Sequence, residues 1–212
     1  MSPDEMSETE ILEFAMRNTM ELMKDAKVRA CEENKGHADL NPMLIIGLDI
    51  KNEETGEEGI GGQMVEMCLS NGEHPVDALP KMLSDLNESG LAKFRFLMFF
   101  VEGFARRVEK PNGEKSIKDL CEDTNYERGS LEKDFHENPA SNVAEGLIIT
   151  AYSWTGEGAS GTQFYKYGDN GLPVYEEEAE FSTYEKGNEQ QGNVPDVFHK
   201  FVKYCQLVEM SK

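Results

Sequence analysis

The stretch Phe94–Arg107, FRFLMFFVEGFARR, constrains this chain more than any other segment. Apart from Arg95, its side chains are apolar on both alternating faces as far as Glu102, and five phenylalanines crowd into it. Successive residues of a strand point to opposite faces, so such a strand must be covered on both sides. It is therefore expected in the middle of a sheet, and the other segments must supply its cover.

Three helices are expected. Ser7 followed by Glu10 forms a capping box, and Leu12, Met16, Thr19, Met23, Ala26 and Ala30 then recur at spacings of four and three. The spacing predicts a long helix over 8–34, ended near Asn34–Lys35–Gly36 by glycine termination. Its row of Met16, Met20 and Met23 reads as core packing, with an adaptable partner groove as the alternative use of methionine. Asp77 caps a middle helix over 77–89 that carries Leu79, Leu83 and Leu86 on one side, with Pro80 in the first turn. A last helix over 196–209 buries Val197, Phe198, Phe201, Val202, Cys205 and Val208.

Strands are expected over 43–50 and 60–69, joined by a hairpin through 52–58, then over 94–106, 143–155, 162–168 and 172–178. A glycine-rich turn at 156–161 and the tight turn Asp169–Asn170–Gly171 separate the later ones. The meander carries Tyr152, Trp154, Phe164, Tyr165, Tyr167 and Tyr175, which cross-strand pairing explains without a ligand. The fold class that follows is α+β: a mainly antiparallel sheet of about six strands packed by a long N-terminal, a middle and a C-terminal helix. At 212 residues one domain spanning 1–212 is expected. A polar insert at 109–142, with a short helix near 116–122, interrupts it, and an insert of that length suits partner contact.

Lys and Arg number 21 against 41 Asp and Glu, a net charge of -20. That field repels phosphate backbones and anionic lipid, so no direct nucleic-acid or membrane binding is expected, and a basic protein partner is favoured. No apolar run approaches the roughly 20 residues of a membrane span, and the start MSPDEMSETE is acidic where a signal peptide is basic and then apolar. Cytoplasmic residence is expected. Cys31, Cys68, Cys121 and Cys205 form no CxxC pair and read as reduced thiols.

Local signatures of chemistry are absent from the sequence. His37, His74, His136 and His199 lie too far from one another and from any cysteine for a compact zinc motif. Gly59–Gln63 lacks the Lys-Ser/Thr pair of a phosphate loop, Asp169–Gly171 lacks the downstream ligands of an EF-hand, and no nucleophile elbow occurs. Asp49 and Glu66 on the first two strands form a candidate carboxylate pair, with plain surface exposure as the alternative. Neither cofactor nor metal is expected, and a conventional enzyme is disfavoured.

The block Gly146–Thr150 (GLIIT), followed by Tyr165, Asp169–Asn170–Gly171 and Val174–Tyr175, resembles uncharacterised accessory proteins of tailed phages over residues 143–178. The resemblance implies a phage-like origin and brings no activity with it. The expected function is that of an acidic, non-enzymatic protein working through protein–protein contact, directed at a host or defence factor. Contact is assigned to Glu176, Glu177, Glu178 and Glu180 of the acidic tract, to Tyr126 and Arg128 of the insert, or to a homo-oligomeric face of the first helix. The alternatives are a self-assembling structural subunit, and an enzyme whose site assembles through space from histidines and carboxylates.

Overall fold

A computed structural model describes residues 6–51, 56, 58–69, 73–88, 94–106, 130–138, 143–176, 178–184 and 193–210. In chain order the elements are α1 (Glu8–Asn34), β1 (Met43–Lys51), β2 (Glu58–Glu66), α2 (Pro75–Glu88), β3 (Phe96–Arg106) and α3 (Ser130–Glu137). They continue with β4 (Val143–Ser153), β5 (Gly158–Tyr167), β6 (Pro173–Tyr175), β7 (Glu180–Tyr184) and α4 (Asn193–Met210). The strands form one seven-stranded sheet in the order β2-β1-β3-β4-β5-β6, with β7 also paired to β5. Every pairing is antiparallel. The α+β class, the long N-terminal helix and the middle and C-terminal helices all stand as the sequence predicts.

β3 lies between β1 and β4, and its alternation feeds two cores. Phe96, Met98 and Phe100 join Ile45, Leu147 and Ile149 beneath Leu12, Met16, Met20 and Met23 of α1. Leu97 and Phe99 join Leu44 and Ile46 against Leu79 and Leu83 of α2 and Phe198 and Val202 of α4. The result is three layers, α1, sheet, and α2 with α4. The methionine row of α1 is core, since Met16, Met20 and Met23 are all buried.

Several boundaries differ from expectation for identifiable reasons. α1 has its capping box, with Ser7 Oγ accepting from Glu10 N at 3.3 Å and Glu10 Oε2 from Ser7 N at 2.8 Å. At its other end Lys35, not a glycine, adopts the left-handed conformation (φ 55°), while Gly36 N reaches Cys31 O at 2.9 Å. α2 starts two residues before Asp77, because His74 caps it. His74 Nδ1 accepts from Val76 N at 3.3 Å, which puts Pro80 beyond the first turn.

The glycine-rich segment 156–161 is mostly strand. β5 begins at Gly158, where small residues are required: Ala159 is buried, and a Cβ on Gly161 would lie 2.6 Å from the Phe181 ring. The expected strand 172–178 is confined to β6 at Pro173–Tyr175, and β7 at Glu180–Tyr184 is a further strand that the sequence does not predict. Between the pairs Tyr165–Tyr175 and Thr162–Glu180 the chain bulges, and the Gln163 side chain fills the gap by donating Nε2 to the carbonyl of Glu176 at 3.0 Å. Within the expected insert, residues 130–138 hold α3 against the ends of β3 and β4, where Phe135 meets Phe104 at 5.1 Å between ring centroids. The expected short helix near 116–122 lies outside the described residues. No helix among the described residues is long and apolar enough to cross a membrane.

Candidate functional site

The buried stripe of α1 steps through Leu12, Met16, Met20 and Met23 and then reaches Lys27, whose side chain is 0% exposed. The α1-facing register of β3 steps through Phe96, Met98 and Phe100 and then reaches Glu102. The two charges meet: Lys27 Nζ pairs with Glu102 Oε1 and donates to the Ala38 carbonyl at 2.5 Å. Glu102 also accepts from the Tyr165 hydroxyl and, through Oε2, from Leu40 N at 2.8 Å. Lys27 Nζ sits 5.3 Å from the ring centroids of both Tyr165 and Tyr167. Burial works against the charge on Lys27, yet Glu102 and the Tyr167 hydroxyl hold its ammonium above the usual range. Burial first, then the bond to Glu102, keeps the Tyr165 phenol protonated far above its ordinary pKa.

Two openings flank this cluster on the same side of the sheet. One is a cleft of about 530 Å³ between α3 and the ends of β4 and β5, lined by His37, Phe135, His136, Glu145, Tyr165 and Tyr167. His37 stacks on Tyr167 with centroids 3.6 Å apart. Burial, and secondarily the nearby Glu102 carboxylate, pushes the Glu145 carboxyl above the usual range. The other is an apolar groove of about 540 Å³ between the first half of α1 and β1–β2, with Ala15, Ile45, Ile60 and Met98 in its walls. Phe14 at its rim is 61% exposed, and Met64 on the same face of β2 is 55% exposed.

The residues singled out from sequence are scattered. Asp49 lies opposite Ile60 and Glu66 opposite Met43, so these carboxylates do not face each other. Asp49 instead binds Arg95 at 3.0 Å, and Glu66 accepts from the Asn41 amide. Glu176 is half-buried in the β6–β7 bulge, its N–H bonded to Phe164 O at 3.0 Å, while Glu178 and Glu180 are exposed. Glu177, Tyr126 and Arg128 lie outside the described residues. The histidines do not converge with Asp49 or Glu66: His74 caps α2, His199 Nδ1 bonds the Tyr152 hydroxyl at 2.6 Å, and His37 and His136 line the cleft. Among the described residues no group of three or more His, Cys, Asp or Glu side chains is placed to hold a metal ion. Cys31 and Cys205 are buried free thiols and Cys68 is an exposed one.

Sequence reasoning missed Lys27 and Glu102. The signal was present, because each is a charge standing at a core position of its element's own apolar register. No protein family, curated protein or solved structure matches the chain.

Proposed function

We propose that this chain acts by binding another protein, and that the groove between α1 and β1–β2 receives an amphipathic helix of that partner. The observation that carries the reading is the unequal cover of the sheet. Two helices pack one face, whereas on the other α1, with the short α3 only at the ends of β3 and β4, leaves the β1–β2 side open and apolar side chains exposed beside it. Neighbouring strands are about 4.8 Å apart and a helix is about 10 Å wide, so a sheet six strands across has room for a second helix beside α1. Contiguous exposed apolar surface of this kind marks interaction sites in soluble proteins.

Charge decides the occupant's character. A second copy brings another -20 to the contact, whereas a helix with a basic outer face is drawn to it. On the phage-like origin that the resemblance over 143–178 implies, the partner is a cytoplasmic host or defence protein.

The test is selection from a displayed library of helical peptides against the purified protein. Apolar residues at i, i+3, i+4 and i+7 with Lys or Arg elsewhere are expected among the binders. Phe14→Asp, at an exposed position, should weaken them at least tenfold. A concentration-dependent dimer abolished by Phe14→Asp would instead establish the self-assembling subunit. Binders indifferent to Phe14→Asp would remove the groove from the account.

A further inference from the structure

We infer that the cleft beside α3 is a binding site for an organic cation, a guanidinium or primary ammonium group. The group would be held between the His37–Tyr167 stack, Phe135 and the Glu145 carboxylate. The cleft, at about 530 Å³, falls within the usual size range of small-ligand sites. Phe135, Tyr165 and Tyr167 stand in its walls beside two histidines, and aromatic faces carry negative potential that attracts a cation placed over them. The chain already uses this contact with its own cations. Arg17 lies 4.5 Å from the Phe181 centroid, and Lys27 lies over Tyr165 and Tyr167 from the inner side.

The charges select the sign of the ligand. Lys27 and Glu102 answer each other beneath the cleft, and Lys27 has no exposed surface to offer an anion. Glu145 has neither an ion pair nor a hydrogen bond among the described residues, although it is half-buried. Lys166 contributes to the rim, but it follows Tyr165 in β5, so its side chain leaves from the opposite face of the sheet. An incoming guanidinium or ammonium supplies the opposite charge that Glu145 lacks, and its alkyl stem can lie along Phe135, which is 37% exposed. A metal ion is disfavoured by the lack of a three-ligand group among the described residues.

This inference stands independently of the groove, and Phe14→Asp leaves it untouched. The experiment is an NMR titration that follows the ring resonances of Phe135 and Tyr167. The probes are N-acetyl-arginine amide and N-acetyl-lysine amide, beside N-acetyl-citrulline amide, which matches the arginine probe in shape without its charge, and acetate. Saturable shifts with at least one of the two cationic probes and none with citrulline or acetate are expected. Glu145→Gln should weaken cation binding at least tenfold, and Phe135→Leu severalfold, with the amide spectrum elsewhere unchanged. Tighter binding of an arginine- or lysine-containing peptide than of the free amides would assign the group to a protein partner. Equal binding would assign it to a free small cation, and the site holds in both cases. No shift with either cation, an equal response to citrulline or acetate, or full retention in Glu145→Gln would overturn it.

Discussion

On the face covered by α2 and α4, the β1 and β3 side chains that enter the core are all apolar: Leu44, Ile46, Leu97 and Phe99. On the α1 face the same strands contribute Ile45, Phe96, Met98 and Phe100, and then Glu102, which meets a lysine with no exposed surface. The first face is closed by two helices. The second has α1, joined by the short α3 only at the ends of β3 and β4, with a buried ion pair beneath α1 and an opening on either side. Burial of apolar area is enough to hold the first face together. The second spends part of its interior on charges, which rarely add net stability over an apolar replacement. Both openings that suit a partner or ligand lie on this second face.

The largest effect that sharpens this contrast is expected at Glu102. Glu102→Leu leaves the Lys27 ammonium only the more distant, exposed Asp39 carboxylate at 3.8 Å and removes the acceptor of the Tyr165 hydroxyl and Leu40 N, at a cost of about 4 kcal/mol. Urea unfolding of the two proteins measures it. Lys27→Met combined with Glu102→Leu should recover much of that loss, because no unpaired charge remains. If the single variant is as stable as the parent, the two faces do not differ in the way described.

On the opposite face the expected loss comes from a cavity alone. Leu83 is 1% exposed in the core between α2 and the sheet, so Leu83→Ala should cost about 3 kcal/mol. Unlike the loss at Glu102, it should not be recovered by any partner substitution. A smaller effect belongs to the start of α1. Ser7→Ala removes the acceptor of Glu10 N and should cost about 1 kcal/mol, visible as a lower thermal midpoint.

The contrast between the faces was partly legible in the sequence. Periodicity identified α1, and the doubled apolar alternation of 94–101 identified the central strand, because both signals are local. The β5–β7 edge was not legible. Gly158–Gly161 carries turn residues, and only the approach of Phe181 and Met16 explains why glycine is needed inside that strand. Register was lost for a similar reason. Starting β2 at 60 leaves the partner of Asp49 undetermined, whereas its start at Glu58 sets Asp49 against Ile60. Gly47, in the middle of β1, has the same kind of hidden cause, since a Cβ there would lie 2.4 Å from the Phe96 ring. The site was legible only in outline. Lys27 and Glu102 each broke an apolar register, but their pairing joins segments 75 residues apart (102 minus 27), and no local pattern reports that.

The smallest expected effect lies at the cleft, and its sign is distinctive. The Glu145 carboxyl is raised by burial and by Glu102, against the opposing pull of Lys27 and His37, with Asp39 adding to the rise. His136, Tyr165 and Tyr167 also line the space around it. A carboxyl whose pKa is higher in the folded than in the unfolded state binds its proton more tightly when folded. Its contribution therefore favours the native state in full below the unfolded value and is lost as pH rises through the folded value. This is opposite to a salt-bridged carboxylate, whose stabilising effect is lost on acidification. Glu145→Gln keeps the shape and removes the titration, so at neutral pH the variant should be more stable than the parent by about 0.5 kcal/mol or less, the scale of a partly exposed substitution. The difference should shrink as pH falls into the carboxylate range. Chemical denaturation at several pH values measures both. A Gln variant that is less stable than the parent at neutral pH would mean that Glu145 has a stabilising partner for its charge, and the cleft would then have no unanswered carboxylate to offer a cation.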